Sequence, residues 1–589
     1  MTMAAAAGLI RQKAANPLLG GARAPWASVP SAICAKSGAS SAGSSGQLPS
    51  FVPSFHRSMT NVPSKPERAK SRRPNRIAAA GVRDGRGDAA PAQSIAFFRY
   101  LQARGMAVAD DRPQGPQEIT PQGVDFSRWY IDTIKKAELM DYAPVRGCIV
   151  FKPDGYELWE ACQRGLDVRF KATGHRNAYF PTLIPESFFQ KEKEHVEGFN
   201  PELPWVTEAG GEKLEERLGL RPTSETMIGH MYAQWIKSYR DLPVLINQWA
   251  NMFRWEKRTL PFLRTSEFLW QEGHTAHATE AEAREETMRM LAVYADFVEH
   301  DLGIPVWQGQ KTPSERFAGA IDTFSIEAMM KDGKAVQAGT SHYLGTNFAQ
   351  GFDIQFLDRD NTLKYVHTTS WGASTRLIGC VVMVHGDDRG LALPPKVAPR
   401  QVVMIPVGPP RLREKVMGPF EQLFGRLREA GVRVFADTRE EQTVGWKFNE
   451  YEMRGIPLRL ELGPRDVDAG TAVAVRRDTG EKAPISLDGA VEHVRGLLDE
   501  IQANMLAKAL AFRTAHQYRA ETLADLAALE ERRGFYLGGW CGDDACEHRI
   551  REETGATARN IPFDPPERMK TCVACGRPAR FTVWYARTY

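Results

Sequence analysis

Apolar residues fall near helical spacing in the first periodic segment of the chain, at residues 120–139. The apolar positions of this segment are Phe126, Trp129, Tyr130, Ile134 and Leu139. From 145 to 393, short apolar runs alternate with amphipathic stretches such as 158–172 and 279–302, without a regular strand-helix-strand rhythm. This pattern predicts that an α+β domain, built on an antiparallel sheet, occupies about 119–395.

Three prolines between residues 394 and 399 mark a boundary, and a clearer alternation of strands and helices follows it. The pattern predicts strands at 401–406, 432–436, 458–462 and 471–476, and helices at 412–430, 445–454 and 489–510. These elements predict a small α/β domain over 400–510. The last segment, 520–589, contains a helical stretch and a cluster of cysteines, and we expect it to form a small α+β module.

Length and composition limit the number of domains and the class of protein. A chain of 589 residues exceeds what one core usually organises, and 42% hydrophobic with 25% charged residues is ordinary for a soluble protein. The net charge of +4 permits a polyanionic partner without requiring one. Apolar runs such as 149–151 and 380–384 look like buried strands and are too short to cross a bilayer, so we expect no integral membrane protein.

The first 86 residues differ from the rest of the chain. They are rich in Ala, Ser, Gly and Pro, carry scattered Arg and Lys, and contain no acidic residue before Glu67. This composition predicts a disordered organellar transit peptide at 1–86, followed by a connector at 87–118. A generic low-complexity tail is the alternative. The expected compartment is a plastid stroma, a mitochondrial matrix or both.

Polar side chains that suit nucleotide chemistry are concentrated between residues 221 and 274. Thr223, Ser224 and Glu225 stand where a helix is expected to begin, and taken alone they would be a cap and a first-turn acid. A predicted hairpin then carries Arg254 and Arg264, with carboxylates close by in the sequence. Guanidinium groups bind phosphates in bidentate fashion, and a carboxylate can accept from an amine.

Several motifs occur here in a fixed order: Arg-Pro-Thr-Ser-Glu-Thr, Phe-Arg-Trp-Glu, Phe-Leu-Arg-Thr-Ser-Glu-Phe and Trp-Gln-Glu-Gly-His. Gln-Ala-Gly-Thr-Ser-His at 337–342 and Thr-Ser-Trp-Gly-Ala-Ser-Thr-Arg at 369–376 follow them. From about residue 123 to the end, the chain resembles class II aminoacyl-tRNA synthetases, specifically the archaeal and eukaryotic type of prolyl-tRNA synthetase in an organellar form. The weaker match at 179–181 resembles the family's dimer motif and implies a homodimer.

The resemblance implies a role for each matching residue. Thr223 and Glu225 would hold the imino nitrogen of proline, and Arg254 would bridge its carboxylate and the α-phosphate of ATP. The remaining proline-pocket residues would be Trp270, Glu272, His274, Phe317 and His342. The remaining ATP residues would be Glu256, Arg264, Thr265, Gln337, Thr340, Ser374 and Arg376. Arg254 and Arg376 would be the catalytic cations, because charge builds on phosphate oxygens during the reaction.

The resemblance also implies the partners. L-proline and ATP with Mg²⁺ would be substrates, and 400–510 would bind the anticodon of tRNA(Pro), with basic and aromatic groups at 445–449 and 455–466 available for phosphates and bases. Two alternatives stay open at this point. One is a related synthetase for threonine, serine, glycine or histidine, and the other is an inactive synthetase-like regulatory or RNA-binding protein.

Two close cysteine pairs stand near the C-terminus, Cys541 with Cys546 and Cys572 with Cys575. This spacing suits four thiolates around a structural Zn²⁺, with His548 as a substitute ligand. The alternative is four unrelated buried thiols.

Overall fold

The computed structural model describes residues 119–195 and 202–589. The predicted transit peptide and connector, 1–118, lie outside the described residues. The helices, in chain order, are α1 (Phe126–Lys136), α2 (Pro153–Ala172), α3 (Glu186–His195), α4 (Glu225–Trp235), α5 (Glu280–His300), α6 (Asn347–Phe352), α7 (Arg376–His385), α8 (Arg413–Glu429), α9 (Val444–Met453), α10 (Pro464–Asp468), α11 (Ala490–Ala515), α12 (Leu523–Ala527) and α13 (Asp544–Thr554). Short 3₁₀ turns occur at Tyr239–Asp241, Pro313–Glu315, Pro410–Leu412 and Ala528–Glu530.

Most strands belong to two sheets. The strands up to residue 374 are β1 (Met140–Tyr142), β2 (Ile149–Phe151), β3 (Arg176–Asn177), β4 (Leu183–Pro185), β5 (Trp205–Ala209), β6 (Glu212–Leu220), β7 (Val244–Phe253), β8 (Glu267–His277), β9 (Val306–Gln310), β10 (Asp322–Met329), β11 (Ala335–Gly345), β12 (Gln355–Leu357), β13 (Leu363–Tyr365) and β14 (His367–Ser374). The later strands are β15 (Val402–Pro406), β16 (Val434–Ala436), β17 (Leu458–Leu462), β18 (Thr471–Arg476), β19 (Lys482–Ser486), β20 (Gln517–Ala520), β21 (Phe535–Trp540), β22 (Thr557–Pro562) and β23 (Phe581–Ala586).

The larger sheet has eleven strands in the order β20-β21-β23-β22-β9-β10-β11-β14-β8-β7-β3. Its central pairs, from β9 to β7, are all antiparallel. Helices α2, α5 and α7 contribute to the hydrophobic core that this sheet shares, which includes Trp159, Leu291 and Trp371. The predicted α+β class and antiparallel sheet are confirmed.

The smaller sheet, ordered β16-β15-β17-β18-β19, pairs β15 in parallel with β16 and β17 and adds β18 and β19 antiparallel. Its core joins α8 and α11 through residues such as Phe420, Leu460 and Val494. The α/β character predicted for this part of the chain is present. Strand β19 was not predicted, because the polar segment Lys482–Ser486 has little apolar alternation.

The C-terminal strands extend the eleven-stranded sheet. Strand β22 pairs antiparallel with β9, so that Ile561 lies opposite Gln310 and Pro562 lies opposite Gly309. The sequence predicted a small α+β module, and the structure shows that its sheet is continuous with that of the first domain. Separation in sequence concealed this pairing, because strands β9 and β22 are far apart along the chain.

Two predicted elements differ from those observed. Residues 380–384, expected as a buried strand, lie in helix α7, whose positions Leu377 to Val384 are all buried. A continuous apolar run does not distinguish a buried strand from a buried helix. The first helix is shorter than 120–139, since Asp125 caps its start by accepting from the backbone of Arg128 at 3.0 Å. Within the described part of the chain, no helix combines the length and apolarity that a membrane span requires.

Candidate active site

Strand β8 presents three predicted side chains on one face. Trp270, Glu272 and His274 occupy alternate positions, and successive side chains of a strand point to opposite faces. The neighbouring strand β14 places Gly372 opposite Glu272 and Ser370 opposite His274. The period of two therefore gathers residues from one motif into the floor of a single site.

A glycine in the same motif meets a packing requirement. A Cβ atom built on Gly273 would lie 2.0 Å from the indole of Trp371, which occupies the space above it. Trp371 is 1% exposed. The sequence Glu-Gly-His therefore places two functional side chains on one face and leaves the other face free for the core.

A buried network surrounds the carboxylate of Glu272. This carboxylate accepts from His274 Nε2 at 3.1 Å, from Gln248 Nε2 at 2.6 Å and from the backbone N–H of Ser224 at 3.2 Å. Thr223 Oγ1 lies 3.2 Å from Glu272 and also donates to Glu225 at the start of α4. Ser224 holds the cap position of α4, but its hydroxyl accepts from Gln248 instead of capping the helix.

Burial and neighbouring charges set the protonation states in this network. Burial raises the pKa of Glu225, and the nearby carboxylate of Glu272 adds to this increase against the opposing effect of His274. Burial also favours neutral Glu272, but its hydrogen bonds from His274, Ser224 and Gln248 outweigh that effect and lower its pKa. Burial would lower the pKa of His274, yet the two carboxylates raise it. The network therefore favours a His274–Glu272 ion pair.

A cavity that is open to solvent lies over this network. All eight predicted proline-pocket residues line it: Thr223, Glu225, Arg254, Trp270, Glu272, His274, Phe317 and His342. The rings of Phe317 and His342 have centroids 4.7 Å apart and form an apolar wall. Burial lowers the pKa of His342 to about 3, with the cations His274 and Arg254 adding to the shift, so this ring is neutral.

A second cavity adjoins the first and shares lining residues with it. All eight predicted ATP residues line it: Arg254, Glu256, Arg264, Thr265, Gln337, Thr340, Ser374 and Arg376. Arg254 lines both cavities, exposed to their shared space, with its guanidinium carbon 5.2 Å from the centre of the Trp270 ring.

Backbone carbonyls hold the two arginines that the sequence predicts to be catalytic. Arg254 donates through Nε to the carbonyl of Pro222 at 3.1 Å. Arg376, at the start of α7, donates to the carbonyls of Leu263 and Gln337, each at 3.2 Å. These contacts fix the guanidinium groups without cancelling their charge, which suits the binding of phosphates.

The sequence interpretation assigned no role to two positioning residues. Gln248 on β7 accepts from the backbone N–H of Phe180 at 2.5 Å while donating to Glu272, and so links the 179–181 segment to the pocket. Thr323 on β10 accepts from the backbone of Phe317 and lies 3.0 Å from Nδ1 of His342. A glutamine within an apolar strand was a usable signal for the first, whereas nothing local marked the second.

The predicted anticodon-binding segments are only partly available. In α9, Phe448 is half-buried beneath the guanidinium of Arg459, whose carbon lies 4.0 Å from the ring centre. Lys447, expected among the phosphate-binding groups, is instead buried and lies 3.2 Å from the carboxylate of Asp437. Because this ion pair occupies its buried ammonium group, the expectation that Lys447 binds phosphate is wrong.

The four cysteines predicted as metal ligands come together. Cys541, Cys546, Cys572 and Cys575 have sulfurs within 4.8 Å of one another. The Sγ of Cys541 lies 3.6 Å from that of Cys546 and 3.8 Å from that of Cys575. Four sulfurs about 2.3 Å from a tetrahedral zinc would be separated by roughly 3.8 Å, so the donor set fits this ion. The substitute ligand, His548, is exposed and is not part of this group.

The chain is similar to known families along most of the described length. Residues 205–385 match the tRNA synthetase class II core domain (G, H, P, S and T), 401–497 match the anticodon binding domain, and 526–589 match the prolyl-tRNA synthetase C-terminal domain. A proline–tRNA ligase of Symbiobacterium thermophilum is 74% identical over 481 residues, which cover 80% of this chain and 98% of that protein. Those of Natranaerobius thermophilus and Rubrobacter xylanophilus are 55% and 54% identical over 80% of this chain and 98% and 99% of their own lengths.

Proposed function

The chain belongs to the prolyl-tRNA synthetase family of class II synthetases, and we propose that its two adjoining cavities hold proline and ATP as halves of one active site. The protein ligates proline to tRNA with ATP. The assignment of one cavity to proline and the other to ATP rests on Arg254, because this residue lines both of them. Arg254 and Arg376, whose loss would mark an inactive relative, are both present at the site.

In the proline half, the imino group meets the carboxylate of Glu225, with Thr223 beside it. The ring lies against Phe317, His342 and Trp270. Because His342 is neutral, this wall adds no cation that would repel the imino group. The carboxylate of proline then points toward Arg254, at the boundary between the cavities.

The first step forms a mixed anhydride. A carboxylate oxygen of proline attacks the α-phosphorus of ATP, and the bond to the departing pyrophosphate breaks. Arg254 stabilises the negative charge that builds on the α-phosphate, and Arg376 binds the far end of the nucleotide, at its γ-phosphate or adenine side. Mg²⁺ enters with ATP and neutralises part of the triphosphate charge.

The second step transfers the prolyl group. A ribose hydroxyl at the 3′ end of tRNA(Pro) attacks the acyl carbon, and AMP leaves. No protein nucleophile is needed, since fixed geometry and charge stabilisation supply the catalysis.

ATP–pyrophosphate exchange tests the amino-acid assignment. We expect exchange to depend on proline far more than on threonine, serine, glycine or histidine. Equal exchange with one of these four would reject the assignment of the pyrrolidine wall.

The cysteine group supports a further proposal, a structural Zn²⁺ held by Cys541, Cys546, Cys572 and Cys575. Four protein ligands would close the coordination shell, so the ion would stabilise the C-terminal module without taking part in the reaction. Elemental analysis of the purified protein should find about one zinc per chain. Stoichiometric zinc in a variant with all four cysteines replaced by serine would contradict the proposal.

An apolar patch supports a homodimer. Tyr179 is 68% exposed and Trp235 is 46% exposed, and the buried ring of Phe180, next to Tyr179 in the chain, packs against Trp235 with centroids 6.0 Å apart. Light scattering after gel filtration should give twice the chain mass, and Trp235→Glu should shift it toward the monomer. A monomeric wild-type protein at micromolar concentration would reject the proposal.

The composition of residues 1–86 supports import into an organelle. A fluorescent reporter fused to these residues should enter a plastid or a mitochondrion. A version with the arginines of this segment changed to glutamate should stay in the cytosol, and diffuse fluorescence from the unaltered fusion would reject the proposal.

A further inference from the structure

The segment 311–317 carries Phe317 to the proline cavity and is buried only at its start. Lys311 and Thr312 are 3% and 1% exposed. The side chains of Pro313, Ser314 and Arg316 beyond them are exposed. The two buried residues therefore determine where the segment begins its path toward the cavity.

Both buried residues bind the C-terminal module. Thr312 Oγ1 donates to Oε1 of Glu547 on α13 at 2.7 Å, and Glu547 is itself 8% exposed. Lys311 Nζ donates to the backbone carbonyl of Arg559 on β22 at 2.7 Å and to the carboxylate of Glu327 at 3.0 Å. The guanidinium of Arg559 also binds Glu327.

The far end of the segment is tied to the cavity wall. The backbone N–H of Phe317 donates to Thr323 Oγ1 at 3.0 Å, and the same hydroxyl lies 3.0 Å from Nδ1 of His342. A displacement of Thr312 would therefore move the Phe317 ring relative to His342, against which it packs.

We propose that Glu547 is a positioning residue for amino-acid binding. By holding Thr312, it fixes the segment that places Phe317 against the pyrrolidine ring of proline. The C-terminal module thereby becomes part of the proline site, although none of its residues lines the cavity. This inference rests on the assignment of that cavity to proline.

The ATP half provides an internal reference. Its cavity is lined from the β7–β8 loop and from β8, β11, β14 and α7. Loss of the Thr312–Glu547 hydrogen bond should therefore weaken proline binding and leave ATP binding unchanged.

The test is ATP–pyrophosphate exchange with the full chain, measured for Thr312→Val, Thr312→Ser and Glu547→Ala. Thr312→Val and Glu547→Ala should each raise KM for proline by roughly three- to tenfold, the usual worth of one hydrogen bond. KM for ATP should change by less than about twofold. Thr312→Ser keeps the hydroxyl and should restore KM for proline. The double variant Thr312→Val/Glu547→Ala should raise KM for proline little more than either single variant does, because both substitutions remove the same hydrogen bond.

Thr554→Val is the matched control. Thr554 is 5% exposed in the same module, and its hydroxyl donates to the carbonyl of Ile550 within its own helix. It should lower thermal stability without changing KM for proline. Thermal unfolding of every variant identifies any that misfold, and Glu547→Ala tests the proposal if Thr312→Val does not fold.

Equal increases in KM for proline and ATP, or unchanged values in folded variants, would overturn the proposal. The wild-type enzyme tests a separate point. If it showed no proline-dependent exchange, the cavity assignment itself would fail, whereas normal wild-type exchange with unaffected variants would reject only the role of Glu547.

Discussion

The two cavities proposed as the proline half and the ATP half of the active site differ in how their charged groups are buried and paired. In the proline half, Glu272 and His274 are buried and bind each other at 3.1 Å. In the ATP half, Arg264 is 53% exposed and pairs with Glu256 at 2.8 Å. Arg254, between the halves, hydrogen-bonds to a backbone carbonyl.

This difference corresponds to two kinds of ligand. Proline is small, and selecting it requires a pocket whose shape and protonation states are fixed before binding. A triphosphate carries several negative charges, and the backbone carbonyls that hold Arg254 and Arg376 leave the charge of these two cations available to it. Preorganisation therefore serves selectivity in one half and charge stabilisation in the other.

Removal of Arg254 should have the largest effect, because it acts on both halves. Arg254→Ala should lower the rate of proline-dependent exchange by about 10²- to 10³-fold, as loss of a group that stabilises transition-state charge does. Steady-state exchange kinetics measure this loss, and circular dichroism checks the fold. Near-normal exchange in a folded variant would show that Arg254 has no catalytic role.

A matched control lies in the same loop. Arg258 is also exposed but lines neither cavity. Arg258→Ala removes the same charge and should leave exchange of proline and ATP within about twofold of the wild type, since exposed charges contribute little.

Glu225→Gln should have the next largest effect, and it should be confined to the proline half. Loss of the charge that meets the imino group should raise KM for proline by roughly 10- to 100-fold, the range for a hydrogen bond to a charged group. KM for ATP should remain within about threefold of its wild-type value, because Glu225 does not line the ATP cavity. A comparable rise in both constants would mean that the halves are not separable.

The pH dependence of KM for proline is a second test of the role of Glu225. Burial raises the pKa of Glu225, so as pH falls this carboxylate takes up a proton sooner than an ordinary glutamate does. Proline should therefore bind more weakly in acid, beginning above the usual range near 4.5. Glu225→Gln has no such group, and its KM for proline should change less over the same acidic range. His274, Glu272 and Arg254 surround this group and remain in the variant.

Short-range pattern predicted much of the site. Trp270, Glu272 and His274 share one face because they alternate along a strand, and the order of the motifs identified the family that these residues serve. The hairpin that brings Arg254 beside Trp270 also follows from two adjacent apolar runs.

The features that could not be predicted depend on contacts between residues that are far apart in the sequence. Strand β22 joins β9 across more than half of the folded chain, and the Thr312–Glu547 hydrogen bond depends on that pairing. No local spacing encodes such a contact. The burial of Lys447 has the same origin, since its ion pair with Asp437 forms only when α9 packs on the smaller sheet.

Glu256→Gln should have the smallest effect of these substitutions. It tests whether the exposed ion pair between Glu256 and Arg264 contributes little to stability. Arg264 is 53% exposed, and an ion pair at such a surface typically contributes about 0–1 kcal/mol. The substitution should therefore change the free energy of unfolding by less than about 1 kcal/mol, measured by urea denaturation monitored by circular dichroism. It should also leave KM for proline unchanged, because Glu256 does not line the proline cavity. Destabilisation well beyond that range would show that the ATP half depends on a tightly coupled ion pair, and the contrast between the two halves would disappear.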